Sequence, residues 1–327
     1  MLRVLAMAAL RRLKTPTHLI LDWDGTLTTK DTMNLVGQLA VARDACLDRR
    51  QQGPAWSKYY NAYKADYERH KAAHHPREAH VTPDRYRQWL ESLRPIEYAS
   101  AQRADDDGYF EGINMQDVTT VAGEALSSGA LELRTGWNNL FRLFLPSATP
   151  PQGSQLSILS VNWCNDLIRE SLRLSVERQS ELARSARAEM LDMIANLDIQ
   201  ANSLEGLHSA QGASGRLVGD IRTAEDKLRR MPSGRGSAEG PDPKPLVVYV
   251  GDSATDYAAL RNSDVGIWLC DDEERAHEHF AKTFAPLDTR DCKLRRLGDG
   301  NLGPPEKLCA WTKDLEEVAE YLSETQP

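Results

Sequence analysis

Short runs of mainly apolar residues recur along the chain. The first is HLILD at 18–22, and the others are LSILSV at Leu156–Val161, LVVYV at Leu246–Val250 and DVGIWL at Asp264–Leu269. Runs of this length that stay apolar throughout are typical of strands buried on both faces of a parallel sheet. Charged helical stretches separate them, so the pattern predicts an α/β fold with a Rossmann-like parallel sheet.

The interval between the first two runs, about 30–150, is far longer than a crossover between neighbouring parallel strands requires. Trp56–His75 and Pro83–Leu93 carry aromatic and leucine residues at helical spacing. We therefore expect a mainly helical cap domain inserted here. We interpret one set of aromatic residues as a packing face, with a substrate-facing patch as the alternative: Trp56, Tyr59, Tyr60, Tyr63 and Tyr67.

These patterns give a domain plan. Residues 1–14 form a leader that can be disordered, 15–30 and 130–327 form the core domain, and 31–129 form the cap. The segment 166–199 lacks Gly and Pro, and it predicts one or two exposed helices. The proline-rich and glycine-rich segment 232–245 predicts a flexible loop.

Composition narrows the class of partner. The 327 residues carry a formal net charge of −8, which disfavours a basic surface that tracks nucleic acid. The five cysteines show no zinc-ligand spacing, and no run is long enough to span a membrane. We expect a cytoplasmic protein with a small-molecule partner. Four basic residues near the start, Arg3, Arg11, Arg12 and Lys14, leave mitochondrial import as the alternative.

The first apolar run delivers two carboxylates to one place. In DWDGTLT, Asp22 and Asp24 lie two positions apart, so an extended chain directs both to the same face. Gly25 then permits a sharp turn. One carboxylate can attack phosphorus while its neighbour transfers the proton of the leaving group.

Further candidates follow the later runs. Ser160 ends the second run, where a hydroxyl can donate to a phosphoryl oxygen. GDSATD follows the third and places Asp252 beside Asp22, an oxygen-rich pair suited to Mg²⁺, with Asp256 in support. A lysine must neutralise the phosphoryl charge. Lys227 is our choice because it lies on an apparent helix, and Lys244, between two prolines, is the rival.

Taken in order, DWDGTLT, Ser160, Lys227 and GDSATD resemble the four motifs of the haloacid dehalogenase-like superfamily. NSLEG at 202–206 and GRLVGDIRTAEDK at 215–227 resemble its phosphoserine phosphatase-like branch. The resemblance implies that Asp22 is the nucleophile and Asp24 the general acid and base. It also implies that Ser160 and Lys227 bind the phosphoryl group. Mg²⁺ would be held by Asp22, the backbone carbonyl of Asp24 and Asp252.

The leading hypothesis is thus an Mg²⁺-dependent hydrolase of a small phosphomonoester that proceeds through an aspartyl-phosphate. A catalytically idle interaction or regulatory protein of the same fold is one alternative, and a phosphotransferase that uses the same residues is another. Trp23 stands where the superfamily commonly has phenylalanine, and VNW follows Ser160 in place of a glycine-rich turn.

Overall fold

The computed structural model describes residues 11–46, 55–77, 81–232, 244–284, 295–297 and 310–324. The strands are β1 Thr17–Leu21, β2 Phe110–Glu111, β3 Gln155–Leu159, β4 Asp198–Gln200, β5 Ser203–Leu204, β6 Ser214–Gly215, β7 Leu217–Val218, β8 Leu246–Gly251, β9 Val265–Leu269, β10 Arg295–Arg296 and β11 Ala310–Thr312. The helices are α1 Met33–Cys46, α2 Trp56–His74, α3 Pro83–Ser92, α4 Arg94–Asp106, α5 Met115–Ser128, α6 Trp137–Arg142, α7 Asn165–Arg178, α8 Arg184–Asn196, α9 Ala224–Arg230, α10 Tyr257–Asn262, α11 Ala276–Thr283 and α12 Leu315–Glu324.

Seven of these strands form one sheet in the order β10-β11-β9-β8-β1-β3-β4. Every neighbouring pair is parallel, and Leu21 of β1 is paired with both Val250 of β8 and Ile158 of β3. The chain moves from β1 to β3 and β4 on one side, then returns to β8 on the other. β1 is therefore the topological switch point, where open α/β sheets bind ligands. The Rossmann-like α/β expectation is confirmed.

Between β1 and β3 the chain forms α1 to α6 and the short strand β2, so the interval is mainly helical, as expected. Its helices share a hydrophobic core with the sheet: Leu35 of α1 and Val118 of α5 are buried in the same cluster as Leu19 and Leu21 of β1. On the other side of the sheet, Tyr86 of α3 packs edge-on against Tyr257 of α10, with ring centroids 4.8 Å apart.

The segment 166–199 differs from the sequence prediction. Two helices are present, but α7 is not an exposed helix, because Leu167, Ile168 and Leu172 on one of its faces are fully buried. The segment also enters the sheet, since Ile199 of β4 is paired with Ile158. A three-residue edge strand has too few apolar positions to stand out from the helix before it.

The ends of the chain and the predicted flexible loop are described only in part. Residues 1–10 and 233–243 lie outside the described residues. Within 11–14, Leu13 is buried and Arg11 forms ion pairs with Glu316 and Glu320. In the part of the chain that is described, no helix is both long and apolar enough to cross a membrane.

Candidate active site

The carboxyl ends of β1 and β8 bring two aspartates together. The backbone N–H of Asp22 donates to the carbonyl of Val250 at 2.9 Å, so the ladder between the strands continues to the first motif. Asp252 follows two residues later at the end of β8. The strand pairing thus fixes the two carboxylates side by side at the switch point of the sheet.

Lys227 lies between the carboxylates of two motifs. Its Nζ is 2.8 Å from Oδ1 of Asp22 and 2.7 Å from Oδ1 of Asp256, and its side chain is fully buried. Burial alone would lower the pKa of this ammonium, but the two carboxylates raise it above the usual range. Lys227 is therefore a fixed positive charge against Asp22.

The rival lysine lies elsewhere. Lys244 comes just before β8, at the amino end of a six-residue strand whose carboxyl end leads to Asp252. Six strand residues span about 20 Å. The structure therefore brings Lys227, and not Lys244, to the predicted nucleophile.

Both carboxylate oxygens of Asp256 accept hydrogen bonds. Its Oδ1 accepts from Lys227 and from the Tyr249 hydroxyl at 2.6 Å, while Oδ2 accepts from the backbone N–H and the hydroxyl of Ser253, both at 3.0 Å. This carboxylate caps the turn before α10 and fixes Lys227. Its oxygens are already engaged, which makes it a supporting residue.

The site also fits a divalent cation. One oxygen each from Asp22, Asp252 and Asp256 lies within 4.8 Å of the others. Burial and the neighbouring Asp256 raise the pKa of Asp22 well above its usual range, and the same two causes raise the pKa of Asp252 to about 7. Three carboxylates with one lysine leave excess negative charge, and carboxylate oxygens are the ligands that Mg²⁺ prefers.

Gly25 has a specific role in this packing. Its φ is +74°, and a Cβ at this position would lie 2.4 Å from Oδ2 of Asp252. Any side chain here would collide with the Asp252 carboxylate. The adjacent Thr26 hydroxyl donates to Oδ1 of Asp252 at 2.8 Å. Gly25 and Thr26 therefore fix the position of the Asp252 carboxylate, although Asp252 belongs to a motif that is distant in the sequence.

Asp24 lies in a separate polar network. Its Oδ1 accepts from the Thr32 backbone N–H at 2.6 Å and hydroxyl at 2.5 Å, and its Oδ2 accepts from Asn162 Nδ2 at 2.9 Å. Burial raises the pKa of Asp24, with a further contribution from Asp31, while these hydrogen bonds lower it. A raised pKa means that Asp24 keeps its proton to a higher pH than an ordinary aspartate does, and a general acid must be protonated when it reacts.

Trp23 contributes a hydrogen bond to this network. Its side chain is fully buried, and its indole N–H donates to the Thr32 hydroxyl at 3.0 Å. A phenylalanine has no such donor. The departure from the superfamily pattern therefore adds a hydrogen bond to the residue that holds Asp24.

Ser160 directly follows β3, next to the network around Asp24. It is fully buried, and its Oγ accepts from the backbone N–H of Asn162 at 3.1 Å. Asn162, which the sequence analysis did not assign to the site, donates to Asp24 and Thr32. The VNW segment therefore supplies an amide that contacts the second aspartate.

Arg134 is a residue that the sequence analysis missed. It is 4% exposed, its Nε donates to the carbonyl of Thr26 at 2.8 Å, and its Nη2 donates to the carbonyl of Gly25 at 2.5 Å. This guanidinium holds the turn after the first motif in place. Nothing in ELRTGW signalled that role, because it depends on a contact across more than a hundred residues of sequence.

The four motifs now lie around one point. Asp22 directly follows β1, Ser160 directly follows β3, Lys227 lies on the helix before β8, and Asp252 follows β8. This is the placement that the resemblance of the four motifs to the haloacid dehalogenase-like superfamily leads us to expect.

Comparisons with known proteins give distant relatives. The chain is 27% identical over 202 residues to the "Bifunctional TH2 protein, mitochondrial" of Arabidopsis thaliana, covering 61% of this chain and 28% of that protein. It is 26% identical over 258 residues to the CTO1 family protein C17G9.12c of Schizosaccharomyces pombe, covering 76% of this chain and 80% of that protein. The chain thus spans little more than a quarter of the first relative. No family model matches it.

Solved structures with similar folds are also distant. One is a phospho-aspartyl intermediate analogue of phosphoserine phosphatase, with 13% identity, a TM-score of 0.43 and coverage of 94% of this chain and 99% of that chain. Another is a HAD family hydrolase from Salmonella enterica, with 12% identity, a TM-score of 0.43 and coverage of 96% and 74%.

A cavity adjoins the site on the side of the helical segment. It has a volume of about 320 Å³ and is bordered by Ser253, Ala254 and Thr255, which directly follow Asp252. Tyr63 and Tyr67 also line it. Of the aromatic set interpreted as a packing face, Tyr59 is buried as expected, whereas Tyr60 is 54% exposed.

Proposed function

We propose that this protein is an Mg²⁺-dependent phosphatase that hydrolyses a small phosphomonoester through an aspartyl-phosphate on Asp22. The observation that carries the proposal is the buried ion pair between Lys227 and Asp22 at the switch point of the sheet, with Asp252 alongside. A nucleophilic carboxylate beside a fixed ammonium is the arrangement that phosphoryl transfer requires.

The chain's residues divide the reaction between them. Oδ1 of Asp22 is paired with Lys227, which leaves Oδ2 to attack phosphorus as the bond to the ester oxygen breaks. Asp24 gives its proton to the departing alcohol oxygen. The Asp24 carboxylate then takes a proton from water as that water attacks phosphorus. This step releases phosphate and regenerates Asp22.

Three ligands are proposed for the metal: the carboxylates of Asp22 and Asp252 and the backbone carbonyl of Asp24. When bound, Mg²⁺ would offset negative charge on the phosphoryl group and on the carboxylates. Ser160 and Lys227 are proposed to bind the phosphoryl oxygens. Residues 31–129 are proposed as the cap that covers the substrate.

The cellular location remains a proposal. We favour the cytoplasm, and the printed name of the Arabidopsis relative places that protein in mitochondria. Fractionation of cells that express the tagged chain decides between the two compartments.

The test is phosphate release from a panel of phosphomonoesters, with Mg²⁺ and with chelator. Wild type should release phosphate only with Mg²⁺, and Asp22→Asn should lose activity while it keeps its fold by circular dichroism. Asp252→Asn should also lose the rise in melting temperature that Mg²⁺ gives wild type. Equal rates for wild type and Asp22→Asn would refute the mechanism. Transfer of the phosphoryl group to an added alcohol would identify a phosphotransferase.

A further inference from the structure

The cavity beside the site offers a place for the alcohol part of the substrate. Thr223 and Ala224 border it as well as Ser253, and these residues lie just before Lys227 and just after Asp252 in the chain. Tyr63 and Tyr67 of α2 line it too. The cavity is therefore lined both by the helical segment and by residues that lie next to two of the predicted site residues in the chain.

Aromatic faces form one side of the cavity. The rings of Tyr63 and Tyr67 on α2 are stacked, with centroids 6.1 Å apart and an interplanar angle of 26°. Trp89 of α3 is 6% exposed and lines the same space. Flat aromatic walls favour a planar ligand, which covers more of their surface than a puckered one and stacks on the rings.

Arg222 forms the polar side, and its hydrogen bonds are incomplete. Its side chain is 7% exposed, yet Nε and Nη1 have no hydrogen-bond partner among the described residues. Its remaining bond is a long one, 3.5 Å from Nη2 to the carbonyl of Gly219, and the guanidinium lies 5.2 Å from the ring centroid of Tyr98. A buried donor without an acceptor is costly, so this guanidinium favours a ligand that supplies one.

The charges around the cavity agree with an acceptor ligand. Lys71, Lys282 and Arg222 line it, against one acidic side chain, Glu97. The Glu97 carboxyl already accepts from the Tyr63 hydroxyl at 2.9 Å. Excess positive charge around an arginine with free donors suits a carboxylate or a carbonyl oxygen.

We infer that Arg222 is a specificity-determining residue and that the substrate is the phosphate ester of an alcohol with a planar ring and an acceptor group on that ring. The ring lies against Tyr63 and Tyr67, and its carboxylate or carbonyl accepts from Arg222. The inference rests on the proposed function, because it assigns the cavity to the leaving alcohol of that reaction.

Four esters test the assignment: benzyl, carboxybenzyl, acetylbenzyl and cyclohexylmethyl phosphate. The methylene group keeps the leaving oxygen similar in all four. For wild type we expect kcat/KM to be highest for the carboxybenzyl or acetylbenzyl ester, lower for benzyl and lowest for cyclohexylmethyl. Preference for carboxybenzyl identifies a carboxylate acceptor, and preference for acetylbenzyl identifies a carbonyl. Equal values for all four would overturn the inference.

Variants at the cavity then separate recognition from folding. Arg222→Gln should lower the preference for the acceptor-bearing ester over benzyl by about 10-fold to 100-fold. Arg222→Lys should lower it by less, because lysine keeps the positive charge although it lacks the planar pair of donors. Arg216→Gln, an exposed position outside the cavity, is the matched control and should keep the wild-type preference. A uniform loss with all esters in both Arg222 variants would assign Arg222 a structural role only.

The ring faces are tested in the same way. Tyr67→Leu should reduce the preference for benzyl over cyclohexylmethyl phosphate, whereas Tyr67→Phe should retain it because the face is kept. If wild type cleaves other phosphomonoesters but none of these four, the inference fails and the phosphatase proposal stands, whereas no cleavage of any phosphomonoester would refute the phosphatase proposal. The cavity is then tested alone by calorimetric binding of carboxybenzyl and acetylbenzyl alcohol. Binding that weakens about tenfold in Arg222→Gln supports the cavity assignment, and no binding by wild type overturns it.

Discussion

The Lys227–Asp256 pair of the candidate active site and Arg222 of the adjoining cavity differ in how fully their polar atoms are satisfied. At Lys227 and Asp256 the charges are partnered at 2.7 Å, and further donors complete the carboxylate. In the cavity, Arg222 is also buried but retains two donors without acceptors among the described residues. The active-site pair is therefore held in position before a substrate binds. Arg222, by contrast, has donors whose acceptors a bound ligand would supply.

The largest effect on activity and stability is expected when the buried lysine of the active site is replaced. Lys227→Met leaves Asp22 and Asp256 facing each other without the ammonium. We expect loss of turnover and a decrease of about 3 to 5 kcal/mol in the free energy of unfolding, measured by urea denaturation. Lys244→Met is the control, with an expected change within about 1 kcal/mol. Loss of activity only in Lys244→Met would reverse the assignment of the two lysines.

A smaller effect is expected at the acidic side chain of the cavity. Burial raises the pKa of Glu97 to about 7 from its usual 4.5, against the opposing effects of the Tyr63 hydrogen bond and of Arg222. A raised pKa means that the folded state holds this proton more tightly. Its stabilisation is complete below pH 4.5 and is lost as the pH rises through 7.

Wild type should therefore lose up to about 3 kcal/mol relative to Glu97→Gln across this pH interval. The measurement is urea unfolding of both proteins at a series of pH values. Parallel stability profiles would show that the Glu97 carboxyl titrates alike in the folded and unfolded chains.

The smallest effect is expected where a tryptophan replaces the commoner phenylalanine. Trp23→Phe removes the indole donor to Thr32, which should cost about 1 kcal/mol of stability and lower kcat several-fold with KM nearly constant. Trp137→Phe, in which a ring packed edge-on against Phe141 is changed, should leave kcat as in wild type, because among the described residues no hydrogen bond joins the Trp137 side chain to Asp24 or Thr32. Equal changes in kcat in the two variants would remove Trp23 from the support of Asp24.

The sequence predicted the active site better than the cavity for a physical reason. Asp22, Asp24 and Asp252 each follow a strand core of apolar residues, which fixes their position by local pattern alone. Arg222 and Tyr67 reach the cavity from segments more than 150 residues apart, and neither belongs to a pattern with a defined spacing.

The fold shows the same division. Long buried strands such as β8 were predicted to within a residue, whereas β4 and β11, of three residues each, were missed. Arg134 was missed too, because its donors bind backbone carbonyls of the first motif. Every residue has a backbone carbonyl, so the residue types in the sequence do not indicate such a contact.

The most direct test of the central claim is to find the phosphoryl group on Asp22. The protein is mixed with a cleaved ester and Mg²⁺, quenched in acid during turnover and digested, and the peptides are weighed by mass spectrometry. The account predicts one added phosphoryl group on the peptide that contains Asp22, and none in Asp22→Asn. Turnover without a phosphorylated peptide, or phosphate on another residue, would contradict it.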